Sequence, residues 1–487
     1  MKRLLSKENW RALLLIEQLY EKEWVVSDRL MGVIKCSERT LRSDVQRINQ
    51  LIEPATIETS LKTGLRLRIP TSHSMKHIYA ILLRESPNFL ILETLFFSDF
   101  DSLVDLAREV YQSLASLNRS ISQINQITSE MDFRITTKPP IRIAGNEREI
   151  LAFFRSYFFE RYEGEFPFNQ EKFQEVLAVL NQFYGTHKQF IFIINFTMLA
   201  LYIFIKATRL QQQSESLSHA QTSICPISEE IIRLNQDLSN LTGLRESHVF
   251  FSDDWSQINE DIYFCSYQNF QKGIQRFPAV KAEYDRFREL TMLIDEVLIG
   301  GINDHELFIF RLYSFHLSEQ LVRPILFNYP EETLATIAAS TPYFYEKIKG
   351  LLVKYIRKNH NYVLKTLLYN VMSAFDNFST VSRLNQPAFR IGLYTKYNGL
   401  IVTNDQEFLE DVFGDQVEVR VIPFRGCQKS ISLQGDYDLI ITDISDCQLK
   451  GIEVLSIAYE ITEREIGIVK ELYDHFLKRK AASLFDG

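Results

Sequence analysis

Arg39, Thr40, Arg42, Ser43 and Arg47 crowd three guanidiniums and two hydroxyls into one short stretch of the sequence. Guanidinium forks pair bidentately with phosphate oxygens and with the acceptor edge of guanine, and hydroxyls bond either phosphate or base. In the same stretch Leu41, Val45, Ile48 and Leu51 recur at spacings of four, three and three. Apolar and polar residues therefore fall on opposite faces of one helix, which Ser37 caps and which stops near Pro54. Just beyond, Lys62, Arg66 and Arg68 punctuate Ile57 to Ile69 (IETSLKTGLRLRI), whose alternation around Lys62, Thr63 and Gly64 predicts two short strands and a tight turn. Cations on such a hairpin suit a grip on a phosphate backbone. A lone helix with this face would be read as merely solvated; the elements around it favour nucleic acid.

Those elements are two further amphipathic segments, Trp10 to Tyr20 (WRALLLIEQLY) and Trp24 to Ile34 (WVVSDRLMGVI), each predicting a helix. Three helices followed by a hairpin is the order of a winged helix-turn-helix, assigned to residues 1–70. A shift of 76 residues superimposes Ser37 on Ser113, Leu41 on Leu117, Ile48-Asn49-Gln50 on Ile124-Asn125-Gln126, and Leu65-Arg66-Leu67 on Ile141-Arg142-Ile143. Residues 71–148 thus form a second, diverged copy with its hairpin at Phe133 to Ile143 (FRITTKPPIRI). Its recognition position shows Asn118, Arg119, Ser122 and Gln123, which makes the first copy the better phosphate binder.

At 487 residues the chain is too long for one core and should be modular. Net charge is −8, yet residues 1–70 carry 13 Lys and Arg against 9 Asp and Glu, a net +4 that leaves −12 for the remainder. Cys36, Cys225, Cys265, Cys427 and Cys447 have no metal or disulfide spacing. No cofactor is implied, and no Walker loop, HExxH or nucleophile elbow marks an enzyme. The start MKRLLSKENW has no signal-peptide run, which places the protein in the cytoplasm. Phe190 to Ile205 is apolar but spans 16 residues, short of the roughly 20 a membrane helix needs, and reads as a buried helix.

Residues 149–377 are patterned as helices, broken by a polar stretch at Gln211 to Gln221 that reads as a loop. Leu201 to Arg209 (LYIFIKATR) and Phe315 to Arg323 (FHLSEQLVR) resemble each other, suggesting two related bundles that meet near Phe277 to Tyr284. Beyond them Phe389–Tyr394, Val417–Ile422 and Tyr437–Thr442 read as strands, with helices at Gln406–Val412 and Thr462–Phe476, an open α/β sheet.

This order resembles the Mga/AtxA family of regulators of Gram-positive bacteria, most specifically through Ser37 to Asn49 (SERTLRSDVQRIN) and Ile141 to Glu147 (IRIAGNE). The resemblance implies a mainly α, multidomain fold: two winged helix-turn-helix domains, two all-helical regulatory bundles of the phosphotransferase-controlled type (PRDs) at 149–280 and 281–387, and an EIIB-like α/β domain at 388–487. It implies a DNA-binding transcription regulator acting on promoter DNA. It also implies a homodimer through the EIIB-like domain and the PRDs, a phosphocarrier partner, and no membrane. In such regulators the first phosphorylated His precedes an Arg by seven residues, as His316 precedes Arg323; His305, eleven residues earlier on the same helix face, is secondary. Tyr202 stands at the matching place before Arg209, and Glu260, Tyr263 and Tyr267 resemble the phrase that normally ends in a second His. Where an active EIIB carries a nucleophilic Cys, the chain reads Thr395, Lys396, Tyr397, Asn398. That departure argues against a phosphotransferase component, and the helical start Trp10 to Leu51 against an RNA-binding antiterminator of the PRD class.

Overall fold

A computed structural model of the chain describes residues 1–20, 23–185, 196–212, 229–244, 267–319, 324–358, 363–396, 399–424, 436–445, 447, 449 and 451–485. They fall into two compact units: Met1–Val280 with Ser314–Asn328, and Lys281–Tyr313 with Tyr329–Gly487.

The first unit begins with α1 (Lys7–Leu19), α2 (Ser27–Ile34) and α3 (Glu38–Leu51), then the antiparallel pair β1 (Thr56–Ser60) and β2 (Gly64–Arg68). Leu41, Val45 and Ile48 of α3 are buried against Leu13, Ile16 and Leu19 of α1 in one core. Arg11 locks the two helices: its Nε and Nη2 donate to Asp44 Oδ2 and Oδ1 at 2.7 and 2.9 Å. Trp24 to Val26 is not helical. Val25 exchanges two backbone hydrogen bonds of 2.8 Å with Leu65, adding a third strand position to the wing. Gly64 permits this approach: at its φ of 100° a Cβ would stand 2.1 Å from the Val25 carbonyl oxygen.

The second copy follows as α4 (Met75–Arg84), α5 (Pro87–Phe97), α6 (Leu103–Glu109), α7 (Leu114–Thr128), β3 (Phe133–Ile135) and β4 (Ile143–Gly145), with Phe100 bridging Ile141 as Val25 bridges Leu65. Duplication reaches individual atoms. Ser37 and Ser113 cap α3 and α7 by accepting from the backbone N–H of Thr40 and Ser116, at 3.2 Å in both. Lys35 and Tyr111, 76 apart, both close the preceding turn with left-handed backbones, φ 56° and 53°. Asn49 Oδ1 accepts from Ile57 N–H at 2.7 Å while its Nδ2 donates to the Ile57 carbonyl at 3.0 Å; Asn125 does the same to Ile135 at 2.7 and 2.9 Å. In each copy an asparagine of the helix just before the wing, α3 or α7, fastens the first wing strand.

Helix α8 (Glu147–Tyr162) starts where the second wing ends. Gly145 (φ 145°) allows the crossing, since a Cβ there would meet the Asp132 carbonyl oxygen at 2.3 Å. Asn146 caps α8 through the Arg148 N–H at 3.1 Å. The aromatic face of α8 continues the core of the second copy: Phe153 lies 5.5 Å from Phe133, Tyr157 stacks at 5.2 Å on Phe89, and Phe154 lies 4.5 Å from Phe96. Residue 148 is therefore no break in packing. On α8 packs α10 (Phe196–Gln212), on α10 packs α9 (Gln170–Gly185), and on α9 packs α11 (Glu229–Thr242); α12 (Tyr267–Arg276) follows. The described part of the Phe190–Ile205 stretch is the buried core of α10. Gln211 and Gln212, expected in a loop, instead close α10; the rest of that stretch lies outside the described residues.

The division between units falls early in α13 (Pro278–Val297) and within α14 (His305–Glu319). The second unit continues with α15 (Tyr329–Ser340), α16 (Pro342–Lys358), α17 (Leu364–Ala374) and α18 (Phe378–Leu384). Buried Tyr355 of α16 donates its hydroxyl to the Arg286 carbonyl at 2.8 Å, and Asn385 brackets Ile299, accepting from its N–H at 3.0 Å and donating to its carbonyl at 2.9 Å. A parallel sheet ordered β6-β5-β7-β8 closes the chain: β5 (Phe389–Tyr394), β6 (Val417–Val421), β7 (Leu439–Thr442) and β8 (Glu453–Ser456). With it come α19 (Leu400–Phe413) and α20 (Glu463–Ala482). Phe389 packs 5.0 Å from Phe476 of α20, and α20 packs on α16.

Candidate nucleic-acid interface

Helix α3 buries one face and turns Arg39, Arg42 and Ser43 outward, all three exposed. Arg39 has no partner among the described residues. Arg42 holds Glu38 at 2.6 Å, an exposed i,i+4 pair of the kind worth under about 1 kcal/mol and readily exchanged for a phosphate. Thr40 is half-buried in the cap, its Oγ1 2.9 Å from Ser37 Oγ. Arg47 departs from the expected solvent-facing role. Its Nη1 donates to Asn9 Oδ1 at 3.0 Å and its Nη2 to the Glu8 carbonyl at 2.9 Å, so the guanidinium holds α3 to the start of α1.

The first wing differs in the same way. Lys62 stands exposed at the turn, but Arg66 donates Nε and Nη2 to Glu58 Oε2 at 3.1 and 2.6 Å and lies 4.6 Å over the Trp24 ring. Arg68 Nε donates to the other Glu58 oxygen at 3.2 Å. One carboxylate therefore neutralises both wing arginines, and the Arg66 hydrogen bond holds its pKa below the ordinary glutamate value.

On α7, Asn118, Arg119 and Ser122 are exposed, and Arg119 is unpaired among the described residues. Gln123 is engaged: its Nε2 donates to the Arg3 carbonyl at 3.1 Å and its Oε1 accepts from Asn88 at 3.3 Å. The second wing adds three cations that the sequence reading passed over. Arg134, Lys138 and Arg142 are exposed, with no ion pair among the described residues. Arg142 occupies the repeat position of Arg66, which was the signal that could have found it. The repeat position of Glu58 is Arg134, so the second wing lacks the carboxylate that pairs the cations of the first.

The other singled-out residues lie elsewhere. Tyr202 is buried on α10 with Arg155 5.5 Å over its ring. Arg209 is buried too, donating Nε and Nη2 to Glu147 at 2.9 and 3.0 Å and Nη2 to the Ile143 carbonyl at 3.2 Å, at the exit of the second wing. His316 is half-buried on α14, whereas the Nε2 of His305 sits 3.1 Å from Asp295. Tyr267 opens α12. Glu260, Tyr263, Arg323, Tyr397, Asn398 and Cys427 lie outside the described residues. Thr395 is buried after β5, the Lys396 N–H donates to Asp443 at 3.0 Å, and Cys447 is buried. No group of His, Cys, Asp and Glu suited to a metal occurs among the described residues, and no described helix is long and apolar enough to cross a membrane.

Residues 71–158 match the Mga helix-turn-helix domain, a span that ends inside α8. A Streptococcus pneumoniae protein named as a trans-acting regulator is 23% identical over 465 residues, 91% of this chain and 93% of its own length. Over these spans the chain is similar to transcription regulators of the Mga/AtxA type. Other relatives align over shorter stretches. The capsule synthesis positive regulator AcpA of Bacillus anthracis is 29% identical over 164 residues, 33% of this chain and 34% of AcpA. The anthrax toxin expression trans-acting positive regulator of the same organism is 23% identical over 180 residues, 37% of this chain and 38% of its own. Members of the Mga/AtxA family are transcription regulators and not enzymes, and the IRIAGNE phrase now has physical content. Gly145 allows a close crossing, Asn146 caps α8, and Glu147 holds the buried Arg209.

Proposed function

We propose that this chain is a positive transcription regulator that binds promoter DNA through both winged domains. The supporting observation is the repeated asparagine clamp, which fixes each wing against a helix whose outward face carries Arg39, Arg42 and Ser43, or Asn118, Arg119 and Ser122. Helix donors at that position enter a major groove, and wing cations meet phosphate. In the first copy the contact set is Arg39, Thr40, Arg42, Ser43 and Lys62, with Arg66 and Arg68 entering once Glu58 is displaced. In the second it is Asn118, Arg119 and Ser122 with Arg134, Lys138 and Arg142.

Replacing Arg39 and Arg42 together by Ala should weaken binding by roughly 2 to 4 kcal/mol and flatten its salt dependence in gel shifts over several promoter fragments. Unchanged affinity and slope would overturn the assignment. The regulatory reading is that the helical bundles are PRDs, that His316 accepts phosphate from a phosphocarrier protein, and that residues 388–487 hold two chains together. Mass mapping after incubation with a purified phosphotransferase cascade tests the His316 part: phosphate on other histidines and never on His316 refutes that site.

A further inference from the structure

The chain leaves its second unit at Ser314, joins the first, and returns at Tyr329. Within that excursion Ile325 and Leu326 are each 2% exposed and belong to the core of the first unit. Phe327 lies 5.9 Å from Tyr79 of α4, with the Lys76 ammonium 5.4 Å from its ring. One side chain of α8 holds this strap by its backbone. The Glu160 carboxylate accepts from Ile325 N–H at 2.7 Å, Leu326 N–H at 2.7 Å and Phe327 N–H at 3.0 Å. Three consecutive amides converging on one carboxylate resemble the backbone nests that bind free anions, here filled by the protein's own charge. Burial pushes the Glu160 carboxyl up while the three amides pull it down.

We propose that residues 324–328 are a latch, with Glu160 as its keeper, that couples the α14 segment carrying His316 to the second winged domain. The strap touches α4, the first helix of that domain, and α8, which shares its aromatic core, so docking and DNA binding draw on the same helices. Coupling of this kind is reciprocal: if docking tightens DNA binding, DNA protects the strap by the same factor. The inference rests on the DNA-binding reading for its second half only.

The test is hydrogen exchange of full-length protein, reading peptides that cover 324–328, with and without promoter DNA. Glu160→Gln keeps the shape but turns an acceptor into a donor facing amide N–H groups. It should speed strap exchange at least about tenfold, leave the β3–β4 wing unchanged, and weaken DNA binding about fivefold. Phe327→Ala, which undocks the ring and spares the carboxylate, should move both readouts the same way. In the parent protein DNA should slow strap exchange. Unchanged strap exchange in Glu160→Gln overturns the latch whatever DNA does. An opened strap with parental DNA affinity overturns the coupling. If the parent binds no promoter DNA at all, the functional reading fails while the exchange data still decide the latch.

Discussion

Replacing Asn49 by Ala removes both bonds by which α3 holds β1, the acceptor of the Ile57 N–H at 2.7 Å and the donor to its carbonyl at 3.0 Å. Ile57 is 2% exposed, so water cannot take the amide's part without opening the wing. A buried N–H left without a partner costs about 1 to 3 kcal/mol and the lost donor bond about 1 more, so the wing should loosen by about 2 to 4 kcal/mol. At about 1.4 kcal/mol per tenfold, hydrogen exchange in peptides covering 53–60 should speed by roughly 30- to 700-fold, with the α1 core protected as before. Asn49→Asp keeps an acceptor for the Ile57 amide and should lose about half as much. Asn125→Ala should act likewise at Ile135, which is 1% exposed and held at 2.7 and 2.9 Å. Exchange within twofold of the parent in either alanine variant would refute the clamp as the element that positions the wing. Equal losses for Asn49→Asp and Asn49→Ala would refute the assignment of the cost to the amide.

Arg47→Ala should lower the thermal midpoint of the first unit, because it unties α3 from Asn9 and Glu8, and should leave the salt slope of DNA binding unchanged; a flatter slope would mean that Arg47 meets phosphate. Glu58→Gln should release Arg66 and Arg68 and steepen that slope by roughly 1 to 2, at about 0.9 per phosphate contact. Because the Glu58 pKa is depressed, its pairing persists down to the ordinary carboxylate range and fails only as pH falls through the lowered value, so acidification to that point should reproduce the Glu58→Gln slope. Light scattering of the full chain and of residues 1–387 at equal concentration should show a dimer lost on truncation; an equally dimeric fragment would move the contact into the helical bundles.

What the sequence made legible was local. The spacing of Leu41, Val45 and Ile48 marked the buried face of α3, and Gly64 marked the wing turn. Short runs of apolar and β-branched residues marked β5, β6 and β7, whereas β8 (Glu453–Ser456) has only Val454 and Leu455 between polar ends and gave no such run. Contacts across long separations stayed hidden. Val25 was read as helical because its apolar neighbours suit a helix, while its strand pairing depends on Leu65, forty residues on. Arg47 was read as solvent-facing because its partners lie on α1. The pairing of Glu58 with Arg66 was within reach, since the two stand opposite each other once the register about Gly64 is set.

Helix α8 serves two masters. Its Phe153, Phe154 and Tyr157 complete the core of the second winged domain, while its Glu147 secures α10 and its Glu160 the strap. There is thus no slack joint between the part that would sense and the part that would bind. A signal that reached α10, or that docked or released the strap, would act on a shaft whose far side is already embedded in the core of the second winged domain. An evolutionary corollary follows: a substitution that repacks this shaft for a new signal alters the winged domain's core at once, so the two functions change together or not at all.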